Sequence, residues 1–180
     1  QVHAYWPTCG VDGYAIASQA AAERMQRRGI TADKLRVLGI PVQPVFACLA
    51  REKSSAAAPL ARPLRVLVIA GGRRNGPYLA VWPKILRLLR ALAARPLAGV
   101  EWCLVFGNAG WLRRRAEALL AGRPDVRILA LSGQMPEHMH WADLVVTKPG
   151  GLTLAEALSL SKPVLLLQRG GGQEAANTEV

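Results

Sequence analysis

The stretch "DLVVTKPGGLTLAEAL", residues 143–158, joins an apolar run to a segment of helical character through two adjacent glycines. Short runs that are rich in Val and Leu and bounded by Asp, Gly or Pro are typical of buried strands. The segment 152–160 predicts a helix, with Gly150 and Gly151 at its start. A strand that passes directly into a helix is the repeating unit of parallel α/β folds, so this stretch decides the fold class.

The same alternation extends over most of the chain. Strands joined by helices connect through right-handed crossovers, and this predicts a Rossmann-like, doubly wound α/β domain with a parallel sheet from residue 63 onward. The predicted strands are 64–70, 100–106, 126–131, 143–147 and 163–168, and the predicted helices are 78–94, 112–121, 136–141 and 152–160.

The first third of the chain has a different organisation. A short strand within 13–18 and a helix over 19–28 are predicted, followed by the segment "KLRVLGIPV", with Ser18 as the helix N-cap and Gly29 as its stop. Composition then turns to Ala, Ser, Pro and charge, which indicates a linker over residues 46–62. At 180 residues the chain has room for one domain and a piece of another. The opening "QVHAYWPTCG" has no signal-peptide pattern and no Met, and we expect a fragment of a longer chain, truncated at its C-terminus.

Cysteine spacing and net charge indicate which sites and partners the chain can have. The three cysteines, Cys9, Cys48 and Cys103, are odd in number and lack C-x-x-C spacing, so neither a disulfide framework nor a zinc site is indicated. The net charge of +11 favours an anionic partner such as nucleic acid, an acidic lipid surface or a phosphorylated ligand, or else reflects Arg-rich solvated faces. No helix-turn-helix or aromatic-rich sheet motif appears, so nucleic acid is not predicted as a partner.

Three glycine-containing loops follow predicted strands, where open α/β sheets bind ligands. Gly71 and Gly72 suit a close approach to phosphate, although the loop matches neither G-x-G-x-x-G nor a P-loop, and a plain tight turn is the alternative. At Gly150 and Gly151, backbone amides at a helix start can bind a diphosphate.

Four polar side chains accompany the second and third loops. Thr153 adds a hydroxyl donor beside the second, and Glu156 either binds the vicinal hydroxyls of a ribose or favours the positive end of the helix dipole. In the third loop, Gln173 and Glu174 can bind sugar hydroxyls or simply begin a helix.

Two histidines lie close together in the sequence, as metal ligands often do. His138 and His140 lie two residues apart in a predicted helix, so their side chains point in different directions, and surface histidines are favoured over a metal pair. No metal site is therefore predicted.

Together, "DLVVTKPGGLTLAEAL", "KPVLLL" and "GQEAAN" resemble the donor half of glycosyltransferase family 28, within the group of monogalactosyldiacylglycerol synthases and processive diacylglycerol glucosyltransferases. The segments "VHAYW", "VDGYAIAS" and "RVLGIPVQPVFA" resemble the end of that group's acceptor domain. The resemblance implies the C-terminal half of a GT-B fold with a remnant of the N-terminal acceptor domain. The implied division is 1–45 for the end of the acceptor domain, 46–62 for the interdomain linker and 63–180 for the nucleotide-sugar-binding domain.

The resemblance also implies roles for individual residues. Gln173 and Glu174 would bind the transferred sugar, and Glu156 would bind the ribose. The backbone of Ser132 would contact the uracil, with Met135 packing nearby. The diphosphate would be held at Gly71, Gly72, Gly150, Gly151, Leu152 and Thr153.

The implied reaction is inverting transfer of a hexosyl group from a UDP-sugar to a diacylglycerol-type lipid, without metal or cofactor. The general base would come from the opposite domain, so the catalytic residues stay unknown and His3 is not assigned. The alternatives are an N-acetylglucosamine transferase acting on the undecaprenyl-linked peptidoglycan precursor, and a non-catalytic nucleotide-sugar-binding module that needs a partner chain. The implied location is the cytoplasmic face of the cell membrane, as a peripheral protein. Basic stripes at Lys84, Arg87, Arg90 and residues 113–115 would face anionic lipid, or solvent.

Overall fold

The computed structural model describes residues 7, 10–52, 62–70, 81–130 and 132–167. Within them the chain forms two parallel sheets and their helices. The strands are β1 (Tyr14–Ile16), β2 (Leu35–Val37), β3 (Leu64–Ile69), β4 (Val100–Val105), β5 (Val126–Leu129), β6 (Leu144–Thr147) and β7 (Val164–Leu166). The helices are α1 (Gln19–Gln26), α2 (Pro44–Glu52), α3 (Trp82–Ala94), α4 (Gly110–Leu119), α5 (Met135–Trp141) and α6 (Gly151–Ser159), with a 3₁₀ turn at Ala32–Lys34.

The larger sheet has the strand order β5-β4-β3-β6-β7, and all four neighbouring pairs are parallel. The chain moves outward from β3 to β4 and β5, and then crosses back to place β6 on the other side of β3. This reversal of direction defines a doubly wound Rossmann-like sheet. The predicted α/β fold class is therefore confirmed.

Helices cover both faces of this sheet because its strands are apolar on both sides. Val66 and Val68 of β3 pack with Ile85 and Leu89 of α3 and with the apolar side of α4 on one face. Leu67, which lies between them on β3, points to the opposite face, where α2, α5 and α6 pack. The fold is thus a three-layer sandwich with the parallel sheet in the middle.

The smaller sheet pairs β1 with β2 and packs against α1. Ser18 begins α1 as predicted, since its Oγ accepts a hydrogen bond from the Ala21 N–H at 3.3 Å. Gly29 follows the helix with a φ of +88°, a left-handed conformation that suits glycine as a stop signal.

The predicted linker differs from the structure at its start. Residues 46–52 form most of α2, and Phe46 is 1% exposed in the core shared with α5 and α6. The Ala-rich composition suggested a flexible connection, but one buried aromatic ring anchors a helix there. Residues 53–61 lie outside the described residues, and the division into 1–45, 46–62 and 63–180 stays a prediction.

Asp143 aligns the two strands at the centre of the sheet. Its carboxylate accepts a hydrogen bond from the Arg65 N–H at 2.9 Å, and its own N–H donates to the Arg65 carbonyl at 2.8 Å. Arg62 adds two contacts of 2.8 Å to the same carboxylate. These bonds fix the register of β3 and β6 at their amino ends, and this register positions the loops at the other ends.

Among the helices of the described residues, none is long and apolar enough to cross a membrane.

Candidate functional site

The reversal of strand order creates a crevice between β3 and β6, at their carboxyl ends. The two strands are hydrogen-bonded neighbours, with Val66, Leu67 and Val68 opposite Leu144, Val145 and Val146. In the sequence, Gly71 and Gly72 follow β3 after Ala70, and Gly150 and Gly151 follow β6 after Lys148 and Pro149. Ligands of doubly wound sheets bind at this point because the two loops diverge and leave space between them.

The strand β7 brings a third loop to the same edge. It lies next to β6, and the Leu167 N–H donates to the Thr147 carbonyl at 2.8 Å, so the pairing continues to the end of both strands. In the sequence, Gln173 and Glu174 come six and seven residues after Leu167, outside the described residues. The chain therefore leaves the sheet toward all three predicted loops from adjacent strands.

The helix α6 presents its N-terminus to this crevice. Gly150 is its N-cap, and the Leu154 N–H donates to the Gly150 carbonyl at 2.9 Å. The N–H groups of Gly151, Leu152 and Thr153 lie in the first turn, where a helix supplies no carbonyl partners, and they carry the positive end of the helix dipole. This arrangement suits an anion, and phosphate most of all.

Glu156 lies one turn along α6 from Leu152. Burial raises the pKa of its carboxyl group above the ordinary value. Within the described part of the chain, the carboxylate makes no hydrogen bond or ion pair; only the backbone carbonyl of Glu156 is engaged, by Ser159 Oγ at 2.7 Å. A half-buried acid without partners is suited to accept hydrogen bonds from a ligand's hydroxyls.

Ser132 lies in the loop that follows β5 and is held by two hydrogen bonds. The Gln134 N–H donates to its Oγ at 3.0 Å, and the Oγ lies 3.0 Å from Nε2 of His138. Burial, and then the nearby charge of Arg127, lower the pKa of His138, so the ring is neutral near pH 7. Met135, the first residue of α5, is partly buried against the core.

The helix α5 packs against the sheet through Met139 and leaves both histidines half-buried. His138 turns back onto Ser132, and Nδ1 of His140 is buried without a hydrogen-bond partner among the described residues. Over the described residues, no three His, Cys, Asp or Glu side chains are grouped as ligands for a metal ion.

The structure places six of the predicted site residues at the carboxyl edge of the sheet or on the helix that starts there: Gly150, Gly151, Leu152, Thr153, Glu156 and, at the end of the edge strand β5, Ser132. Gly71, Gly72, Gln173 and Glu174 lie outside the described residues. Sequence reasoning missed His138 as the partner of Ser132, since nothing in the six-residue spacing marks the pair. It also missed Lys162, which is 4% exposed and donates to the carbonyls of His140 and Ala142 at the end of α5.

Two curated relatives cover almost the whole chain. A processive diacylglycerol beta-glucosyltransferase of Bacillus pumilus is 29% identical over 178 residues, which are 98% of this chain and 45% of the relative. Monogalactosyldiacylglycerol synthase 2 of Arabidopsis thaliana is 30% identical, over 97% of this chain and 38% of the relative. The chain thus spans somewhat less than half the length of these relatives.

A solved structure supports the fold. The UDP-GlcNAc 2-epimerase of Neisseria meningitidis, bound to UDP-GlcNAc, aligns with a TM-score of 0.61 at 16% identity, over 92% of this chain and 47% of that one. Residues 87–175 match the glycosyltransferase family 28 C-terminal domain, a range that runs from α3 through α6 and β7. The resemblance drawn from the glycine loops is thereby confirmed, and the chain belongs to glycosyltransferase family 28 through its C-terminal domain.

Proposed function

We propose that the chain forms the donor-binding part of an inverting hexosyltransferase, which moves a sugar from a UDP-sugar to a diacylglycerol-type lipid. The names of the two relatives support a diacylglycerol acceptor. The observation that supports the proposal is the start of α6 after a connection of three residues from the end of β6, with the half-buried Glu156 one turn further along the helix.

The leaving diphosphate would be stabilised by backbone groups. Negative charge grows on the diphosphate as the bond to the anomeric carbon breaks. The first-turn N–H groups of Gly151, Leu152 and Thr153 and the dipole of α6 would meet this charge without rearranging. We propose that Gly71 and Gly72 contribute from the neighbouring loop, and that no metal or cofactor is needed.

The nucleoside would be read by side chains on either side of the phosphate site. Glu156 would accept hydrogen bonds from the ribose hydroxyls, while the backbone of Ser132, fixed by His138, would face the uracil with Met135 beside it. Gln173 and Glu174 would bind the transferred sugar. The general base would belong to an acceptor domain, and the protein would work as a peripheral protein at the cytoplasmic face of the membrane.

Calorimetric titration with UDP in EDTA tests the donor site. We expect binding without metal, and a loss of roughly 10- to 100-fold in Glu156→Ala, because a hydrogen bond to a charged group is worth ~1.5–3 kcal/mol. The variant Glu23→Ala, at an exposed position on α1, is the matched control. Titration with UDP-glucose, UDP-galactose and UDP-N-acetylglucosamine then identifies the sugar, and preference for the last would favour the peptidoglycan alternative.

A second ligand assigns the role of Glu156 specifically. The 2′-deoxy analogue of UDP should bind the unmodified chain more weakly than UDP, and should bind Glu156→Ala about as weakly as UDP does. Equal losses from the substitution with both ligands would show that Glu156 does not contact that hydroxyl. Absence of UDP binding to the unmodified chain would remove the proposed function itself.

A further inference from the structure

A surface groove of about 430 Å³ lies beside the C-terminal half of α3 and the start of β4. Because α3 begins at the carboxyl edge of the sheet and ends before β4 begins, the groove lies toward the opposite edge from the crevice. Its size falls within the ~300–1,000 Å³ of small-molecule sites. The walls are almost entirely apolar and include Leu88, Ala91, Leu92, Leu97 and Trp102, with Arg95 as the charged lining residue.

The groove exposes apolar surface to water. Leu97 is 51% exposed, which leaves an aliphatic side chain at the protein surface, and Trp102, which also lines the groove, is 8% exposed.

The helix beside the groove carries only positive charge. Its sequence from Trp82 to Ala94 contains Lys84, Arg87 and Arg90 and no acidic residue, and all three side chains are exposed. Helical spacing places Lys84 on the same face as Leu88 and Ala91, at intervals of four and three residues, and Arg95 follows directly as the C-cap of the helix. The apolar groove is therefore continuous with a cationic surface.

We propose that this groove, the α3 groove, takes an acyl chain of an anionic membrane lipid, while its headgroup contacts the cationic residues of α3. Hydrocarbon matches the apolar walls, and a negatively charged headgroup matches the cations at one end. A nucleic acid would satisfy the charge but has no aliphatic part to fill the groove.

Vesicle sedimentation tests the α3 groove with the chain as it is. We expect binding to vesicles of phosphatidylcholine with phosphatidylglycerol, and little to phosphatidylcholine alone. Ala91→Gln puts a neutral polar side chain into the groove and should weaken binding at least fivefold, while Ala93→Gln, on an exposed residue of the same helix outside the groove lining, should leave it unchanged. Circular dichroism confirms that both variants fold.

The charge requirement is tested by a matched pair of triple variants. Replacing Lys84, Arg87 and Arg90 by Gln should weaken binding by roughly 100-fold, since each such cation near an anionic surface contributes about fivefold. The same change at Arg113, Arg114 and Arg115, which lie on α4 and not on the helix beside the groove, should have a much smaller effect.

Several outcomes would overturn the proposal. One is equal binding to neutral and anionic vesicles, and another is an equal loss of vesicle binding in the two triple variants. The others are an unchanged vesicle affinity in Ala91→Gln, and binding of a DNA duplex that is as tight as vesicle binding and unaffected by Ala91→Gln. Titration of Ala91→Gln with UDP separates this site from the crevice. UDP binding should persist when vesicle binding falls, so either proposal can fail without the other.

Discussion

At the scale of single residues, Glu156 combines a stability cost with a proposed binding role. Burial raises the pKa of its carboxyl group, and within the described residues nothing pairs with the charge. The folded chain therefore binds the proton more tightly than the unfolded chain does. In the unfolded chain the pKa of a Glu carboxyl is about 4.3. As pH rises from this value through the raised pKa of the folded chain, ionisation of Glu156 lowers the free energy of unfolding. Such a cost is typical of groups kept for ligand binding.

The substitution Glu156→Gln should separate stability from binding. We expect the variant to unfold at a higher temperature than the unmodified chain at pH 8 and at the same temperature below pH ~4, because the difference comes only from the ionised carboxyl. Thermal unfolding across this pH range measures it, with Glu23→Gln as control. The same variant should bind UDP more weakly. A variant that is less stable at pH 8 would show that the carboxylate is stabilised by contacts in the folded chain.

At the scale of elements, the start of α6 shows what its glycines contribute. Gly150 has a φ of −76° and a ψ of 125°, which any residue adopts, and Gly151 is already helical. The backbone conformation does not require glycine at either position. The absence of side chains is then the useful property, since it leaves the first-turn N–H groups open to a ligand.

This explanation predicts different effects for one substitution in two helices. Gly151→Ala and Gly110→Ala each change the first residue of a helix, α6 and α4 respectively. Both should keep or slightly raise stability, by up to ~1 kcal/mol, because alanine restricts the unfolded chain. Only Gly151→Ala should weaken UDP binding, as calorimetry would show. A loss of stability in Gly151→Ala alone would instead give its glycine a structural role.

The strands and helices of the larger sheet could be predicted from the sequence. All nine strands and helices expected between residues 64 and 168 exist, because their apolar periodicity reflects burial on one or both faces. Several ends differ from the predicted ones by one or two residues, inward or outward, since side-chain pattern does not report where backbone pairing stops. The helix α2 was missed although Val45, Phe46 and Leu49 follow the helical period, because the Ala- and Ser-rich composition around and after it was interpreted as a linker. The Ser132–His138 bond joins a loop to a helix face, and such a contact depends on the fold rather than on local pattern.

At the scale of the whole molecule, the order β5-β4-β3-β6-β7 is the decisive feature. Alternation of strands and helices predicts a parallel sheet, but several strand orders fit the same alternation. The observed order makes β3, β6 and β7 adjacent, so the three glycine loops leave from one edge. Because the chain spans less than half of its relatives' length, sugar transfer is expected only together with an acceptor domain.

The most direct measurement is a crystal structure of the chain with UDP. The account predicts the diphosphate between the ends of β3 and β6, with phosphate oxygens within hydrogen-bond distance of the N–H groups of Gly151, Leu152 or Thr153. The ribose hydroxyls should lie on the carboxylate of Glu156. A nucleotide bound away from the N-terminus of α6, or a Glu156 carboxylate turned away from the bound ribose, would contradict it.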